Sequence, residues 1–361
     1  MTTLNLFAVP PFAAGRMVKL PAILAELAAL TRHHRAGSDS YRRMTDVMFA
    51  DEGTPGSLPD LPWIPVRLFK MMDLVSVPGD TIVRQLVSSG TSSQVPSRIY
   101  LDSNTASLQV KALSRIVTEF VGAQRLPMVI VDEGSFLSDR SRLSARAAGI
   151  IGFSTFGRDH FYLLNEALEP DWAGLQTYLA KHRDTRILLF GFTFIVWQRF
   201  VTLARAVGLS FRFPKGSLLV HGGGWKKLAD QRVDNGAFKA ALVETFSIDR
   251  VHNYYGMVEQ VGSIFFECEY GYLHAPCFAD LIVRDPVTLT PNPFGREGLI
   301  QVFSVLPRSY PGHSLLTEDL GTIHGEDDCP CGRNGKRFSV AGRIENVEVR
   351  GCSDTRRMLD A

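Results

Sequence analysis

Apolar residues recur at helical spacing through residues 18–32, where Leu20, Ile23, Leu24, Leu27 and Leu30 share one face. The same spacing runs through 107–121, with Leu108, Ala112, Leu113, Ile116, Val117 and Phe120. Between them, 51–65 is rich in proline and glycine and reads as loop. The segment 81–87 is β-branched and strand-like. Short apolar runs at 126–131, 186–190 and 218–220 predict buried strands, and 142–150 and 197–207 predict helices between them. The longest apolar run, 187–197, is too short for a bilayer, which takes about 20 residues, and reads as a buried strand running into a helix. Strands alternating with helices predict parallel sheet covered by helices. Beyond Tyr255 the pattern changes: apolar runs at 281–283 and 299–303 alternate with turns at Asn292-Pro293 and Gly295, which predicts antiparallel sheet.

Composition narrows the function classes. The 361 residues suffice for two compact α/β units or one large one. With 45% hydrophobic and 21% charged residues, the chain fits a folded enzyme rather than a disordered or fibrous protein. A formal net charge of +2 without a long basic block argues against a nucleic-acid partner. Residues 1–11 carry neither a basic n-region nor a cleavage-type site, so no signal peptide is expected. Five cysteines, an odd number, argue against a disulfide framework and for a reducing, cytoplasmic setting.

The chemistry centres on the stretch after the strand at 81–87. Ser88, Ser89, Gly90, Thr91, Ser92 and Ser93 are small hydroxyls around one glycine, placed between a predicted strand and a predicted helix. Gly90 lets backbone N–H groups approach an anion, and the hydroxyls add donors without bulk, which suits a phosphate chain. From composition alone, a solvated serine-rich turn also fits. No lysine lies between Leu74 and Val110, which excludes a Walker A loop, and a single glycine excludes the dinucleotide fingerprint.

Three further motifs follow in order. Gly222, Gly223 and Gly224 come directly after a strand; three glycines in a row are entropically costly and suit a tight turn or a flat ring lying on bare backbone. Tyr254, Tyr255 and Gly256 precede Glu259; alone, a Tyr-Gly dipeptide and a later glutamate mean little, and they gain weight from their place after the glycine run. Thr317-Glu318-Asp319-Leu320-Gly321 and Gly342-Arg343 close the series.

Together these motifs resemble the adenylate-forming superfamily of acyl-CoA ligases, peptide-synthetase adenylation domains and firefly-type luciferases. That phosphate loop reads Ser-Gly-Thr-Thr-Gly, then Pro-Lys; here Ser93 replaces the second glycine and Pro96 is followed by Ser97. Val258 stands where threonine is usual, and Glu318 where glycine is. The Pro-Ser variant is closest to the short acyl-protein synthetases of bacterial luminescence. The resemblance implies ATP bound by Ser88–Ser93, adenine packed against Gly222–Gly224, Tyr255 stacked on the purine beside Tyr254 and Gly256, Asp319 on the ribose hydroxyls and Arg343 at the hinge. It implies Mg²⁺ on Glu259, with Thr91 also catalytic.

The fold so implied is α/β, the large N-terminal domain of adenylate-forming enzymes: two parallel-type α/β subdomains and a smaller antiparallel β region. The expected divisions are 1–185 with the phosphate loop, 186–275 with the adenine loop, 276–344 as a β-rich subdomain, and a hinge-like tail 345–361. The chain ends at Ala361, so the small C-terminal domain and its lysine are expected to be missing. The implied reaction is ATP-dependent activation of a carboxylic acid as acyl-adenylate. Cys352, flanked by Arg350, Arg356 and Arg357, fits an acyl acceptor whose pKa is lowered by positive neighbours. A reductase or other acceptor protein would then take the thioester.

Cys268, His274, Cys329 and Cys331 form a set suited to structural Zn²⁺, and the pattern resembles that of phenylacetate-CoA-ligase-like members of the superfamily. A loose set of reduced cysteines is the other reading. Two functional alternatives stay open: an aryl-acid adenylating enzyme of a phenazine-like natural-product pathway with no acyl-cysteine, and a non-catalytic ATP-binding scaffold. Gly312-His313-Ser314 begins a nucleophile elbow, but Leu316 stands where its second glycine must be, which excludes a serine hydrolase of that type. Phe192, Phe194, Trp197 and Trp225 suit an acyl pocket and core packing equally.

Overall fold

A computed structural model describes residues 5–49, 55–88, 95–135, 145–225 and 233–344. Its strands are β1 Ile64–Pro65, β2 Ile82–Val87, β3 Arg98–Asp102, β4 Leu126–Ile130, β5 Gly157–Tyr162, β6 Leu188–Phe192, β7 Leu218–Gly222, β8 Arg250–Tyr255, β9 Phe265–Glu267, β10 Leu273–His274, β11 Ala279–Arg284, β12 Gly298–Ser304, β13 Ser314–Glu326 and β14 Lys336–Arg343. Among the described residues, twelve strands form one sheet in the order β11-β12-β13-β14-β10-β9-β8-β7-β6-β4-β5, with β1 beside β13. β2 and β3 form a separate hairpin.

The sheet changes character at β8. From β5 to β8 every pair is parallel. From β8 through β9, β10, β14, β13 and β12 to β11 every pair is antiparallel. β4, β6 and β7 are buried along their whole length, as the near-continuous apolar sequences of parallel strands require. β4 and β5, before residue 185, pair in the same sheet as β6 to β8 after it.

The helices are α1 Arg16–Gly37, α2 Asp39–Met48, α3 Leu68–Met71, α4 Ser103–Val121, α5 Ala145–Ser154, α6 Trp172–Lys181, α7 Thr193–Ile195, α8 Leu203–Ala206 and α9 Asn235–Phe246. Three of them start on an aspartate. Asp102, Asp171 and Asp234 accept hydrogen bonds from the N–H groups of Thr105, Gly174 and Ala237, satisfying donors that the first turn leaves unpaired. Between α7 and α8 the backbone widens to π geometry over Val196–Thr202. The apolar run 187–197 is indeed a buried strand entering a helix. No helix among the described residues is long and apolar enough to cross a membrane.

Two apolar cores result. One surrounds the parallel strands and takes in α1, α4, α9 and, from β11 and β12, Ile282 and Phe303. The other takes the opposite face of the same two strands, with Leu281, Val283, Ile300 and Val302, and adds Tyr41, Phe69 and Tyr310. The division follows the two-residue alternation of side chains along a strand.

Several local expectations need adjusting. β2 pairs with β3, and α4 starts only after β3, so the strand at 82–87 is followed in the described chain by a second strand and not directly by the helix. The helix expected over 142–150 runs from 145 to 154 where it is described. The helix expected over 197–207 begins at Thr193 and passes through the π turn. α2, α6, α9, β5 and β8 were not among the predicted elements. β5 is an edge strand with Arg158, Asp159 and His160 exposed, so it lacks an apolar signature.

Candidate functional site

The glycine run begins at the C-terminal end of β7. Gly222 lies opposite Tyr254 of β8, and a Cβ added to it would come within 2.5 Å of the Tyr254 ring. Gly223 and Gly224 have φ of 80° and 62°, the left-handed region that favours glycine. The ring lying on this bare backbone is therefore Tyr254 of the protein itself. Behind it, the Thr193 hydroxyl donates to the Gly222 carbonyl at 3.0 Å and lies 2.9 Å from His221 Nδ1. With its one proton spent on the carbonyl, Thr193 must accept from Nδ1–H, which leaves His221 Nε2 an acceptor. Nε2 is buried without a partner. Burial pushes the imidazole down to about 4, so it is neutral at pH 7.

One residue on, Tyr255 turns to the other core. Its hydroxyl donates to Asp319 Oδ2 at 2.7 Å. Burial, and then the Asp319 charge, hold this phenol well above its usual range, so it stays a donor. Asp319 on β13 lies opposite Arg343 on β14, and Arg343 Nε is 3.5 Å from Asp319 Oδ1. The arginine side chain is 64% exposed and the aspartate 16%, so this pair faces solvent while the tyrosine end is buried. Three residues from separate motifs thus meet at one carboxylate.

Glu259 lies on the short helical turn Val258–Gln260, and it is buried. Its carbonyl accepts from the Tyr310 hydroxyl at 3.0 Å. Burial raises its carboxyl pKa; Ser97, Lys70 and Arg343 oppose that rise. Ser97 closes the base of the hydroxyl loop: Ser97 N–H donates to Ser88 Oγ at 2.8 Å, and Ser88 N–H donates to the Ser97 carbonyl at 3.0 Å. The loop base and the Glu259 carboxylate are therefore neighbours. A magnesium ion commonly takes one or two carboxylates together with substrate phosphates, and this arrangement offers that donor set. Gly256 sits where a Cβ would press on Ile264 at 2.8 Å. Ser89, Gly90, Thr91, Ser92, Ser93 and Cys352 lie outside the described residues.

The cysteine set also converges. Cys268 follows β9, His274 ends β10, and Cys329 and Cys331 sit in the turn between β13 and β14. Their four ligand atoms lie within 4.8 Å of one another, with Cys268 and Cys329 sulfurs 3.9 Å apart and Cys331 sulfur 3.5 Å from His274 Nε2. Tetrahedral zinc with Zn–S bonds of about 2.3 Å would place its sulfurs about 3.8 Å apart, so donor type and spacing both fit.

The family model for the acyl-protein synthetase LuxE matches residues 5–358. The chain belongs to the LuxE acyl-protein synthetase family. Two family relatives are long-chain-fatty-acid–luciferin-component ligases. The one from Vibrio harveyi is 24% identical over 337 residues, spanning 89% of this chain and 84% of the relative. The one from Aliivibrio fischeri is 24% identical over 195 residues, spanning 54% of this chain and 51% of the relative. Among solved structures, a 2-hydroxyisobutyryl-CoA ligase in an open conformation with its acyl-AMP and CoA superposes with a TM-score of 0.68 at 18% identity, over 93% of this chain and 77% of that one. The same ligase in its thioesterification state gives 0.68 over 93% and 70%. These likenesses carry the fold, that of the large domain of adenylate-forming ligases.

Within this family fold, the structure gathers Tyr255, Asp319 and Arg343 in one contact group, Glu259 beside the loop base, and Tyr254 against Gly222. Lys70, Ser97, Thr193 and Tyr310 were not among the predicted site residues. Ser97 was marked only as a departure from the Pro-Lys pattern. Lys70 carries no local signal, because its neighbourhood to Glu259 arises only on folding.

Proposed function

We propose that this family member uses ATP to activate a carboxylic acid as an acyl-adenylate and passes the acyl group to the Cys352 thiol. The observation that carries the reading is the meeting of Tyr255, Asp319 and Arg343 on paired strands, near the Glu259 carboxylate at the foot of the hydroxyl loop. Asp319 would accept from the ribose hydroxyls and the loop would cradle the phosphates. Mg²⁺ held by Glu259 would supply positive charge to those phosphates. An oxygen of the substrate carboxylate attacks the α-phosphorus; the new P–O bond forms as the bond to the β-phosphate oxygen breaks. Pyrophosphate leaves with the electron pair, and no proton need move. The Cys352 thiolate then attacks the acyl carbon, and the C–O bond to AMP breaks as the thioester forms. The relatives' names favour a long-chain fatty acid over an aryl acid, and a reductase or other acceptor protein would receive the acyl group. Zinc on Cys268, His274, Cys329 and Cys331 would be structural, since four protein ligands leave no open position.

The test is pyrophosphate exchange into ATP with a saturated long-chain fatty acid and Mg²⁺. Exchange dependent on the acid is expected, with Glu259→Ala abolishing it, and a hydroxylamine-sensitive adduct should map to the peptide bearing Cys352. ADP and phosphate as products would overturn the adenylation step. Cys352→Ser with full turnover to the acceptor would overturn the thioester step and favour an aryl-acid type of transfer straight from the adenylate.

A further inference from the structure

Glu259 belongs to a three-residue turn, Val258–Gln260, in which the Gln260 N–H donates to the Met257 carbonyl at 3.1 Å. So short a turn has poor internal bond geometry, and its peptide planes are set largely by outside partners. The segment 307–313 supplies them. The Tyr310 hydroxyl donates to the Glu259 carbonyl at 3.0 Å. Gly312 lies so near the same carbonyl that an added Cβ would come within 2.8 Å of its oxygen. In the other direction, Gln260 Nε2 donates to the Gly312 carbonyl at 2.8 Å.

Tyr310 is itself held on several sides. It is fully buried, with its ring edge-on to Phe69 of α3 and centroids 5.9 Å apart. Its oxygen accepts from Gln109 Nε2 of α4 at 3.4 Å, which leaves the one phenolic proton for the Glu259 carbonyl. Burial, and then the Glu259 charge, hold this phenol above its usual range, so it stays a donor. The neighbouring main chain is anchored too. Ser309 N–H donates to Thr105 Oγ1 at 3.1 Å, Ser309 Oγ donates to the Tyr100 carbonyl at 2.8 Å, and Ser76 N–H donates to the Ser309 carbonyl at 2.8 Å. The tyrosine therefore reaches Glu259 from a frame tied to both β3 and α4.

We infer that Tyr310 is a positioning residue for Glu259: its hydroxyl fixes the Glu259–Gln260 peptide plane and with it the direction in which the Glu259 carboxylate is presented to Mg²⁺. The assignment rests on the reading of Glu259 as the magnesium ligand. Magnesium demands near-ideal octahedral geometry, so a ligand that can swing binds it less well than one held in place. Groups that hydrogen-bond behind a metal ligand are accordingly worth about 10–100-fold in metal affinity or activity.

The experiment is calorimetric titration with ATP, once in EDTA and once in Mg²⁺, so that the gain in affinity due to the ion is separated from nucleotide binding itself. Pyrophosphate exchange is followed at limiting and at saturating Mg²⁺. Tyr310→Phe keeps the ring and removes only the hydroxyl. It should lose about 10-fold of the magnesium gain, keep its affinity in EDTA, and recover most of its exchange rate when Mg²⁺ saturates. Tyr178→Phe is the control. Its phenol also donates to a main-chain carbonyl, that of Asp159 at 2.6 Å, but at the β5 end of the sheet, and it should keep the full gain. Glu259→Ala should lose the gain, and adding Tyr310→Phe to it should cost nothing more, because the tyrosine acts through that residue. If Tyr310→Phe melts too early to titrate, Gln109→Met, which frees the phenol from its donor, should lose a smaller part of the same gain. A wild-type gain in the variant titrated, or losses that add when Tyr310→Phe and Glu259→Ala are combined, overturns the assignment and leaves Glu259 its metal. An unchanged gain in Glu259→Ala, or no gain from Mg²⁺ in the wild-type protein, overturns the reading of Glu259 and the assignment with it.

Discussion

The parallel and antiparallel halves of the sheet are built on different physics, and the Tyr254-Tyr255 dipeptide joins the two cores. Around the parallel strands, contact is mainly apolar and aromatic, with the Asp132–Arg146 pair as a buried charge: Phe153 stacks on Phe190 with centroids 4.3 Å apart, and Phe200 on Phe246 at 3.7 Å. Its buried imidazole next to the glycine run, His221, is neutral. The antiparallel strands hold buried charge. Asp280 on β11 binds Lys336 of β14 at 2.9 Å and Lys19 of α1 at 3.1 Å, all three side chains nearly inaccessible. Arg284 donates to Gln301 across β11 and β12. Dispersion and the hydrophobic effect position groups without direction, whereas ion pairs and hydrogen bonds fix orientation. Tyr254 packs with the first core and Tyr255 against the second. The candidate site thus takes a flat glycine-and-aromatic wall from one and directed polar groups, Asp319 and Arg343, from the other.

The largest expected effect would confirm that the antiparallel region depends on directed bonds. Protein purified without added metal should contain about one zinc per chain, and Cys329→Ser should lose it. Loss of a structural metal belongs with the most damaging changes, here about 5 kcal/mol. The damage should be local: amide exchange should accelerate in β9, β10 and β14 and stay slow in β4, β6 and β7. A metal content of zero with unchanged melting of Cys329→Ser would remove zinc from this account.

Next in size is the buried ion set. Asp280→Asn leaves Lys19 and Lys336 facing each other without a carboxylate, at a cost of about 3–5 kcal/mol. The acid responses of Asp280 and His221 should differ. Burial alone would raise the Asp280 carboxyl, but Lys19 and Lys336 outweigh it and push it down to about 2 from 3.8. Its contribution is present above pH 3.8 and is lost as pH falls to about 2. His221, pushed from 6.5 to about 4, binds its proton first in the unfolded chain, so its contribution is lost between pH 6.5 and about 4. Urea melts across pH should show His221→Asn flattening the upper window and Asp280→Asn the lower one. His313, buried and held near 3, also titrates from 6.5 downward, so the upper window should flatten only in part. Identical pH profiles for wild type and His221→Asn would break the contrast.

What was legible in the sequence follows the same division. Tyr255, Asp319 and Arg343 could be picked out because each sits in a short ordered motif, and strand pairing then brought Asp319 opposite Arg343. Cys268, His274, Cys329 and Cys331 were legible from residue type alone, since three thiols and an imidazole suit one ion whatever fold carries them. The parallel strands β4, β6 and β7 were legible as unbroken apolar runs. The polar edge strand β5 was not, nor was α9, in which Ala237, Phe238, Ala240, Ala241, Leu242 and Val243 spread around the helix and leave no single stripe. Tyr310 was invisible for another reason. Its contacts with Phe69 and with the Glu259 carbonyl join segments far apart in the chain, and no local pattern encodes that.

The smallest expected change in stability is the one that best separates folding from function. Arg343 is largely exposed and sits 3.5 Å from Asp319, so its removal should cost at most about 1 kcal/mol, as exposed ion pairs generally do. Asp319 is more enclosed and also receives the Tyr255 hydroxyl, so Asp319→Ala would leave a buried donor unpaired and cost about 1–3 kcal/mol. If the group serves only to staple β13 to β14 and β8, binding should follow stability, and Arg343→Gln should hardly alter ATP affinity. If it forms the ribose end of the nucleotide site, Arg343→Gln should weaken ATP binding about 10-fold while melting within a degree or two of wild type. Asp319→Asn, which keeps an acceptor for Tyr255 but loses the charge, should fold nearly normally and also bind ATP poorly. Calorimetric titration of both variants with ATP and Mg²⁺ decides the matter. Wild-type affinity in both would assign the Tyr255–Asp319–Arg343 group to the fold alone and move the nucleotide elsewhere along the seam between the cores.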